Sequence, residues 1–338
     1  MRCYLFSEGM TLDHLHVVER PDPAPGPHDI VLRMCAAALN FRDLAIVSGH
    51  YHVGVSPPLV PLSDGAGEVI AVGREVTRFR IGDLACPNYL PDWIDGPIRA
   101  RLARRRLGGP TDGVLSELMC LHEEEAVRAP RHLHATEAAV LPIAAATAWH
   151  SLYQLGSLRP GEAVLIQGTG GISTTALQLA QAGGARAIVV TRSDRHVDAL
   201  KALGADAVLT NGATAGWPDD VIKLTHQIGA DVSINVAGGA TLTQTITATK
   251  LGGVVHQVGF ASATTAELDI FAAIRQAATI RVATAGNRES FEAYVRAAER
   301  HSIRPAVAGV FELANIRDAF DYLAEGGHLG KVALKVSF

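Results

Sequence analysis

The chain has 338 residues, of which 48% are hydrophobic and 19% charged, and its formal net charge is −4. This composition predicts a globular protein with room for two ordinary domains, and it argues against disorder and against a chain-wide nucleic-acid surface. Because no run of about 18 apolar residues is present and the N-terminus lacks a charged-then-apolar signal pattern, we expect a cytoplasmic protein with no membrane partner.

The N-terminal part, up to about residue 135, is rich in β-branched residues separated by Gly and Pro. Segments 28–34 and 67–72 are predicted strands, and no strong helical period appears before residue 136. The four cysteines, Cys3, Cys35, Cys86 and Cys120, form no C-x-x-C pair. We interpret them as buried small hydrophobic residues in a reducing compartment.

A basic segment, Arg99–Arg106, places five arginines within eight residues. The simpler interpretation is a solvated loop or helix face. The alternative is a clamp for a phosphate-bearing substrate or carrier, because guanidinium groups match the geometry of phosphate oxygens. The sequence leaves both open.

From about residue 136, short apolar runs alternate with helical stretches, a pattern typical of a parallel sheet with crossover helices. Helices are predicted at 173–182, 195–203 and 240–250, and a further helix at 316–325 precedes a last strand at 331–336. Six strands separated by helices fit a doubly wound nucleotide-binding sheet. The six predicted strands are 163–167, 186–190, 206–209, 231–236, 253–258 and 279–283.

A glycine-rich loop, Gly168-Thr169-Gly170-Gly171-Ile172-Ser173, follows the first of these strands and opens a helix. Glycines at that turn let backbone N–H groups and the positive helix end approach a pyrophosphate. Ser173 stands where the usual fingerprint has Gly or Ala. That position serves helix–strand packing, so the departure leaves the phosphate position open.

The segment 61–85 resembles the signature of the medium-chain dehydrogenase/reductase superfamily, and the resemblance covers nearly the whole chain. Within it, the closest branch is the zinc-lacking, quinone-oxidoreductase-like enzymes. The resemblance implies an α/β protein with a chaperonin-10-like β-barrel catalytic domain (1–136 and 285–338) and an inserted Rossmann domain (137–284). It further implies catalysis in the cleft between them and a homodimer or homotetramer. Other matching motifs are Asn40–Leu44, Thr147–Trp149, the glycine loop and Gly330–Val332.

The resemblance also bears on zinc. Zinc-dependent alcohol dehydrogenases of this fold use a Cys, a His and a second Cys, where this chain has Asn40, Ser63 and Ile143. Ile cannot ligate, and an amide and a hydroxyl are poor Zn²⁺ donors. The pair His50 and His52 has no evident third ligand. We therefore predict no metal.

Without a metal, hydrogen-bond donors must stabilise negative charge on a carbonyl oxygen. The candidates are Asn40, Arg42 and Tyr51. Alternatives are an ion pair of Arg42 with Asp43 or Asp64, and a pocket-wall role for Tyr51. The predicted reaction is hydride transfer from NADPH to an activated C=C bond or a quinone. Zinc-independent reduction of a ketone or aldehyde, or a nucleotide-binding scaffold with weak turnover, are the other hypotheses.

NADPH is preferred over NADH in this interpretation because Thr191 occupies the position of the acidic residue that binds the ribose 2′-hydroxyl in NAD-binding folds. Arg192, Ser193 and Arg195 are placed to bind a 2′-phosphate, and Asp194 is expected to cap a helix. The remaining predicted cofactor residues are Thr147, Gly168, Thr169, Gly170, Gly171, Ile172, Val258 and Lys331.

Overall fold

The computed structural model describes residues 1–51, 54–211, 214 and 216–338. The chain divides into two compact units, Met1–Ala146 with Asn287–Phe338, and Thr147–Gly286. Across the described residues, no helix is long and apolar enough to cross a membrane.

Strands predominate up to residue 128, and most of the helix lies in the second unit and near the C-terminus. The strands are β1 (Arg2–Phe6), β2 (Leu15–Glu19), β3 (Asp29–Leu39), β4 (Asp64–Val72), β5 (Leu84–Pro87), β6 (Leu118–His122), β7 (Ala126–Arg128), β8 (Ala163–Gln167), β9 (Arg186–Val190), β10 (Ala207–Leu209), β11 (Ala230–Asn235), β12 (Thr249–Gln257), β13 (Thr279–Val282), β14 (Val307–Glu312) and β15 (Lys331–Lys335). The helices are α1 (Phe41–Val47), α2 (Ala135–Ala138), α3 (Pro142–Trp149), α4 (Gly171–Ala182), α5 (Val197–Ala202), α6 (Trp217–Leu224), α7 (Leu242–Ala248), α8 (Ile270–Gln276), α9 (Arg288–His301) and α10 (Ile316–Glu325), with a π-helical turn at His150–Leu155.

The first unit is organised around β3, which pairs with β4, β6 and β15. The strand order in this sheet is β14-β15-β3-β4-β5-β7. Apolar side chains of β3 such as Ile30 and Leu32 are fully buried with residues of α10, including Phe320. Burying a side chain of this size contributes about 1.5–3 kcal/mol, so the long apolar run of β3 holds the unit together.

Helix α1 follows β3 directly, and the sequence pattern did not predict a helix here. It is only seven residues long, too short to display a helical period. Its signal is local. The Asp43 side chain accepts a hydrogen bond from the backbone N–H of Asn40, at 2.8 Å, as in a capping box. The helix places Asn40 at its first turn and turns Arg42 inward.

The second unit contains a six-stranded parallel sheet of order β10-β9-β8-β11-β12-β13. Counted within the unit, this is 3-2-1-4-5-6, the doubly wound order of dinucleotide-binding folds. All six predicted strands are present with ends shifted by a few residues. The largest difference is at β12, which begins at Thr249, so the helix predicted at 240–250 is shorter, and α7 ends at Ala248.

Candidate active site

In the first unit, the ammonium of Lys331 is the centre of a buried polar cluster. Its Nζ donates to the carbonyl of Leu39 at 2.6 Å, to Oδ1 of Asn40 at 2.6 Å and to Oδ2 of Asp64 at 3.2 Å. Strand pairing produces this meeting. Val332 on β15 is opposite Leu39, and Ala38 is opposite Asp64 on β4. We call Lys331, Asn40, Asp64 and Ser63 the lysine cluster.

The lysine cluster is closed to water at its centre, since Asp64 is 0% and Lys331 only 7% exposed. An ammonium has three N–H donors, and all three of Lys331 are directed at these oxygens. The other oxygen of Asp64 accepts from the backbone N–H of Ile143 at 3.2 Å. Sequence reasoning assigned Lys331 to the cofactor, but the structure leaves its ammonium no spare donor in this arrangement.

Arg42 is buried between two tyrosines. Its guanidinium carbon lies 5.2 Å from the ring centre of Tyr51 and 5.1 Å from that of Tyr89, a cation–π arrangement. Tyr51 is also hydrogen-bonded to Arg42 and to Tyr89. We call these three residues the tyrosine–arginine cluster. Tyr89 was missed by sequence reasoning, and no local signal marks it, because its partners lie elsewhere in the chain.

The guanidinium of Arg42 also binds backbone carbonyls of Leu107–Gly109, the segment that follows the arginine-rich stretch. Its Nη1 donates to the carbonyl of Leu107 at 3.2 Å, and Nη2 donates to those of Gly108 and Gly109 at 3.3 and 3.2 Å. Of the two ion pairs considered from sequence, the structure forms the one with Asp43, at 3.4 Å. Asp64 is paired with Lys331 instead. Arg42 thus has a structural task as well as its contact with Tyr51.

Electrostatics keep both ends of the tyrosine–arginine cluster in fixed protonation states. Burial acts to lower the pKa of Arg42, but Tyr89, Asp43 and Tyr51 outweigh it, so the pKa rises above its ordinary value. Burial raises the pKa of the Tyr89 hydroxyl, although Arg42 opposes this. At neutral pH, therefore, Arg42 is a cation and Tyr89 keeps its proton.

The positions matched to zinc ligands carry different chemistry. The Nδ2 of Asn40 lies 3.5 Å from the Ser63 hydroxyl, and Ile143 contributes only its backbone N–H. Among the described residues, no group of three or more His, Cys, Asp or Glu is arranged to hold a metal ion. His50 is exposed, and His52 lies outside the described residues.

In the second unit, the glycine loop joins β8 to α4. Gly168 has φ of +76°, and a Cβ there would lie 3.3 Å from the Val236 side chain. Gly170 precedes α4, and nothing lies within 4 Å of where its Cβ would be. Ser173 is buried and donates to the Gln167 carbonyl at 2.6 Å, consistent with its packing role. The first turn of α4 therefore presents its N–H groups at an open surface.

The other predicted cofactor residues lie in the second unit at several places. The Thr147 hydroxyl is buried and has no hydrogen-bond partner among the described residues. Thr191 is buried at the end of β9, whereas Arg192, Ser193 and Arg195 are exposed. Val258 follows β12, and its N–H donates to the Asn235 carbonyl at 2.9 Å.

The predicted capping role of Asp194 is wrong. Helix α5 begins at Val197 and is preceded by His196. Asp194 contributes its backbone carbonyl, which accepts from the N–H of Val197 at 3.1 Å. The turn before the helix is therefore closed by backbone groups, which leaves the exposed carboxylate of Asp194 outside the helix cap.

Comparison with known proteins matches both parts of the chain. The family model of the alcohol dehydrogenase GroES-like domain matches residues 26–131, and that of the zinc-binding dehydrogenase matches residues 171–300. A zinc-type alcohol dehydrogenase-like protein from Schizosaccharomyces pombe is 35% identical over 316 residues, covering 92% of this chain and 91% of that protein.

Two further relatives cover nearly the whole chain. A crystal structure of an NAD-dependent alcohol dehydrogenase has a TM-score of 0.89 at 30% identity and covers 100% of both chains. An acryloyl-coenzyme A reductase from Metallosphaera sedula is 28% identical over 329 residues, covering 94% of this chain and 95% of that protein.

A GroES-like domain combined with a doubly wound sheet and its glycine loop defines an oxidoreductase with a pyridine nucleotide-binding fold. The chain belongs to the medium-chain dehydrogenase/reductase superfamily. The predicted superfamily and the predicted fold class are confirmed.

Proposed function

We propose that this protein is a zinc-independent, NADPH-dependent reductase of an activated C=C bond, in an enone or enoyl thioester, or of a quinone. The observation that carries the proposal is the lysine cluster, in which an ammonium is bonded to Asn40 and Asp64 beside the positions that hold the metal in zinc-dependent relatives. The name of the acryloyl-coenzyme A reductase, a relative over nearly the full chain, supports C=C reduction.

The donor set does not fit zinc. Catalytic zinc takes thiolate, imidazole or carboxylate ligands, whereas Asn40 and Ser63 offer neutral oxygens, and Oδ1 of Asn40 already accepts from Lys331 at 2.6 Å. The nearby Asp64 is neutralised by the same ammonium. A dication placed here would meet the positive charge of Lys331, and the one carboxylate of the cluster, Asp64, already binds Lys331 and the backbone N–H of Ile143. The family model with the zinc-binding name matches residues 171–300, which include none of these positions.

The residues of the first unit supply the polar half of the reaction. We assign Nδ2 of Asn40 and the hydroxyl of Tyr51 as donors to the substrate oxygen, which becomes negative as the β-carbon is reduced. Arg42 and the protonated Tyr89 donate to the oxygen of Tyr51, which leaves the proton of Tyr51 for the substrate. Arg42 is then a positioning residue. Lys331 likewise orients Asn40, because it binds the amide oxygen at 2.6 Å and leaves Nδ2, which lies 3.5 Å from the Ser63 hydroxyl, as the donor group.

The residues of the second unit fit a dinucleotide. NADPH supplies the hydride when bound. The open first turn of α4 suits the pyrophosphate, and the unpartnered hydroxyl of Thr147 suits the nicotinamide amide. Thr191 leaves no carboxylate at the 2′-position, and exposed Arg192 and Ser193 suit a 2′-phosphate. The proposed cofactor set also retains Gly168, Thr169, Gly170, Gly171, Ile172, Arg195 and Val258.

The test is steady-state oxidation of NADPH by protein purified in chelator, with a panel of enones, enoyl thioesters, quinones, ketones and aldehydes. Turnover of the first three classes at a rate independent of chelator is the expected result. Turnover confined to ketones and aldehydes would favour the alcohol dehydrogenase hypothesis. One tightly bound zinc per chain whose removal abolishes activity would contradict the proposal, as would nucleotide binding without turnover of any class.

A further inference from the structure

The segment between β5 and β6 carries positive charge that the proposed reaction does not use. Of the five arginines in Arg99–Arg106, Arg105 is fixed by ion pairs with Asp92 at 2.9 Å and Glu125 at 2.5 Å. The others form no ion pair with the described residues. Arg99, Arg101 and Arg104 are exposed around a short 3₁₀ helix, Ala100–Ala103. We call these three residues the arginine triplet.

Three of the four acidic residues of the same segment are paired with arginines outside the triplet. Asp92 is bound to Arg105, Asp112 to Arg20 at 2.7 Å and Glu117 to Arg2 at 2.6 Å. The fourth, Asp95, is exposed and forms no ion pair with the described residues. Because the protein as a whole has a net charge of −4, the triplet is a local cationic patch on an acidic molecule. A guanidinium group can donate two parallel hydrogen bonds to two oxygens of one phosphate, which gives it more geometric specificity than an ammonium group.

The triplet is tied to the tyrosine–arginine cluster by the chain itself. In the chain, the triplet lies between Tyr89, which stacks on Arg42, and Leu107–Gly109, whose carbonyls bind the same guanidinium. Arg104 is three residues from Leu107, so their Cα atoms are at most about 11 Å apart. A ligand whose phosphates lie on the triplet can therefore extend toward Tyr51 within the first unit.

We propose that the arginine triplet binds the phosphate groups of a coenzyme A thioester whose enoyl group is reduced at Asn40 and Tyr51. This inference rests on the proposed function and names its substrate class. Coenzyme A joins a cluster of phosphates at one end to a thioester at the other through a flexible arm. The arginine triplet would bind the phosphates, and Asn40 and Tyr51 would bind the oxygen of the thioester.

The first experiment is calorimetric binding of coenzyme A, with NADPH binding measured in parallel. The variant is the triple replacement Arg99→Ala, Arg101→Ala and Arg104→Ala. The control removes three exposed arginines elsewhere in the first unit, Arg80→Ala, Arg296→Ala and Arg300→Ala. We expect the first variant to raise the Kd for coenzyme A at least about tenfold and to remove most of its salt dependence. The control variant and the Kd for NADPH should be unchanged.

Binding of 3′-dephospho-coenzyme A shows which phosphate of coenzyme A the arginine triplet binds. If the triplet binds the 3′-phosphate, this analogue binds the parent protein more weakly than coenzyme A does. If the triplet binds the pyrophosphate, the two bind alike, and the triple variant weakens both. Equal affinity of parent and triple variant for coenzyme A overturns the proposal, as does an equal loss in the control variant. A matched loss of NADPH affinity would assign the triplet to the cofactor and also overturn it.

The second experiment separates this proposal from the proposed function. It compares crotonyl-coenzyme A with the crotonyl thioester of N-acetylcysteamine, which has the same reacting group and no phosphate. We expect the triple variant to lower kcat/KM for the first substrate and to leave the second unchanged. Turnover of both substrates at parental rates in the triple variant would overturn the proposal that the triplet binds phosphate, and it would leave the proposed reductase function unaffected. Turnover of neither substrate by the parent would count against enoyl reduction, and the binding experiment would still decide the triplet.

Discussion

At the scale of single residues, Tyr51 and Tyr89 share one guanidinium but differ in exposure. Tyr89 is buried and Tyr51 is partly open. Tyr51→Phe keeps the ring on Arg42 and removes the proposed donor, so kcat/KM should fall at least tenfold, about 1.4 kcal/mol of transition-state stabilisation, with little change in Tm. Tyr89→Phe should have a smaller effect on kcat. Parental rates in Tyr51→Phe would remove Tyr51 from the catalytic set.

The second prediction at this scale concerns Lys331, because its removal leaves the carboxylate of Asp64 buried without a cation. Removing one partner of a buried ion pair lowers the free energy of unfolding by about 3–5 kcal/mol. We expect Lys331→Met to lower the free energy of unfolding in urea by that order and the double variant with Asp64→Asn to recover part of it. The control is Lys335→Met, whose pair with Glu312 is more than half exposed and contributes about 0–1 kcal/mol. Equal losses in both single variants would contradict the argument.

The third residue prediction concerns the 2′-position. Arg192→Ala should raise the KM for NADPH about tenfold, the effect of losing a charge-assisted contact of about 1.4 kcal/mol, and leave the KM for NADH unchanged. Thr191→Asp should reverse the preference, because a carboxylate there binds a 2′-hydroxyl and repels a 2′-phosphate. Kinetics with both cofactors provide the check. An NADH preference in the parent protein would show that this position was misassigned.

At the scale of elements, the second unit was predictable because its parallel strands are covered on both faces and form continuous apolar runs. The first unit was less so. Helix α1 has seven residues and no visible period. The backbone carbonyls that accept from Arg42 lie 65 to 67 residues further along the chain, and the oxygens that bind Lys331 lie 267 to 292 residues before it. Sequence reasoning singled out Asn40 and Arg42 as catalytic candidates and Lys331 as a cofactor residue, but it did not predict these pairings, because contacts this distant in sequence depend on strand register.

The edge strand β13 provides the element-scale prediction. It ends the six-stranded sheet, and every residue of it is exposed. Val282 is 75% exposed, and Phe271 of the preceding helix α8 is 79% exposed. An exposed apolar edge is a template for pairing with another strand, so we expect the homodimer predicted from the family resemblance to form through this edge. Val282→Lys should lower the sedimentation coefficient to that of a monomer, whereas Leu251→Lys, at a site on β12 that is 68% exposed, should not. A dimer that survives Val282→Lys would place the contact elsewhere.

At the scale of the whole molecule, two buried histidines of the second unit couple its stability to pH. Burial lowers the pKa of His150 to about 4, and burial, then Arg281 and His150, lower that of His256 to about 4. His256 is 0% exposed, and neither ring nitrogen has a hydrogen-bond partner among the described residues. Both rings are therefore neutral in the folded protein near pH 6, whereas in the unfolded chain a histidine has a pKa of about 6.5.

The sign follows from proton linkage. Below pH 6.5 these histidines become protonated in the unfolded chain but stay neutral in the folded protein. The free energy of unfolding therefore falls between about pH 6.5 and 4, by up to about 1.4 kcal/mol per histidine for each pH unit. In calorimetry, unfolding of the second unit is identified as the transition whose Tm rises when NADPH is added. We expect His256→Leu to reduce this slope by about half and His301→Leu, at an exposed site of α9, to leave it unchanged. If the NADPH-sensitive transition kept the parental slope in His256→Leu, the acid sensitivity would have to come from other groups.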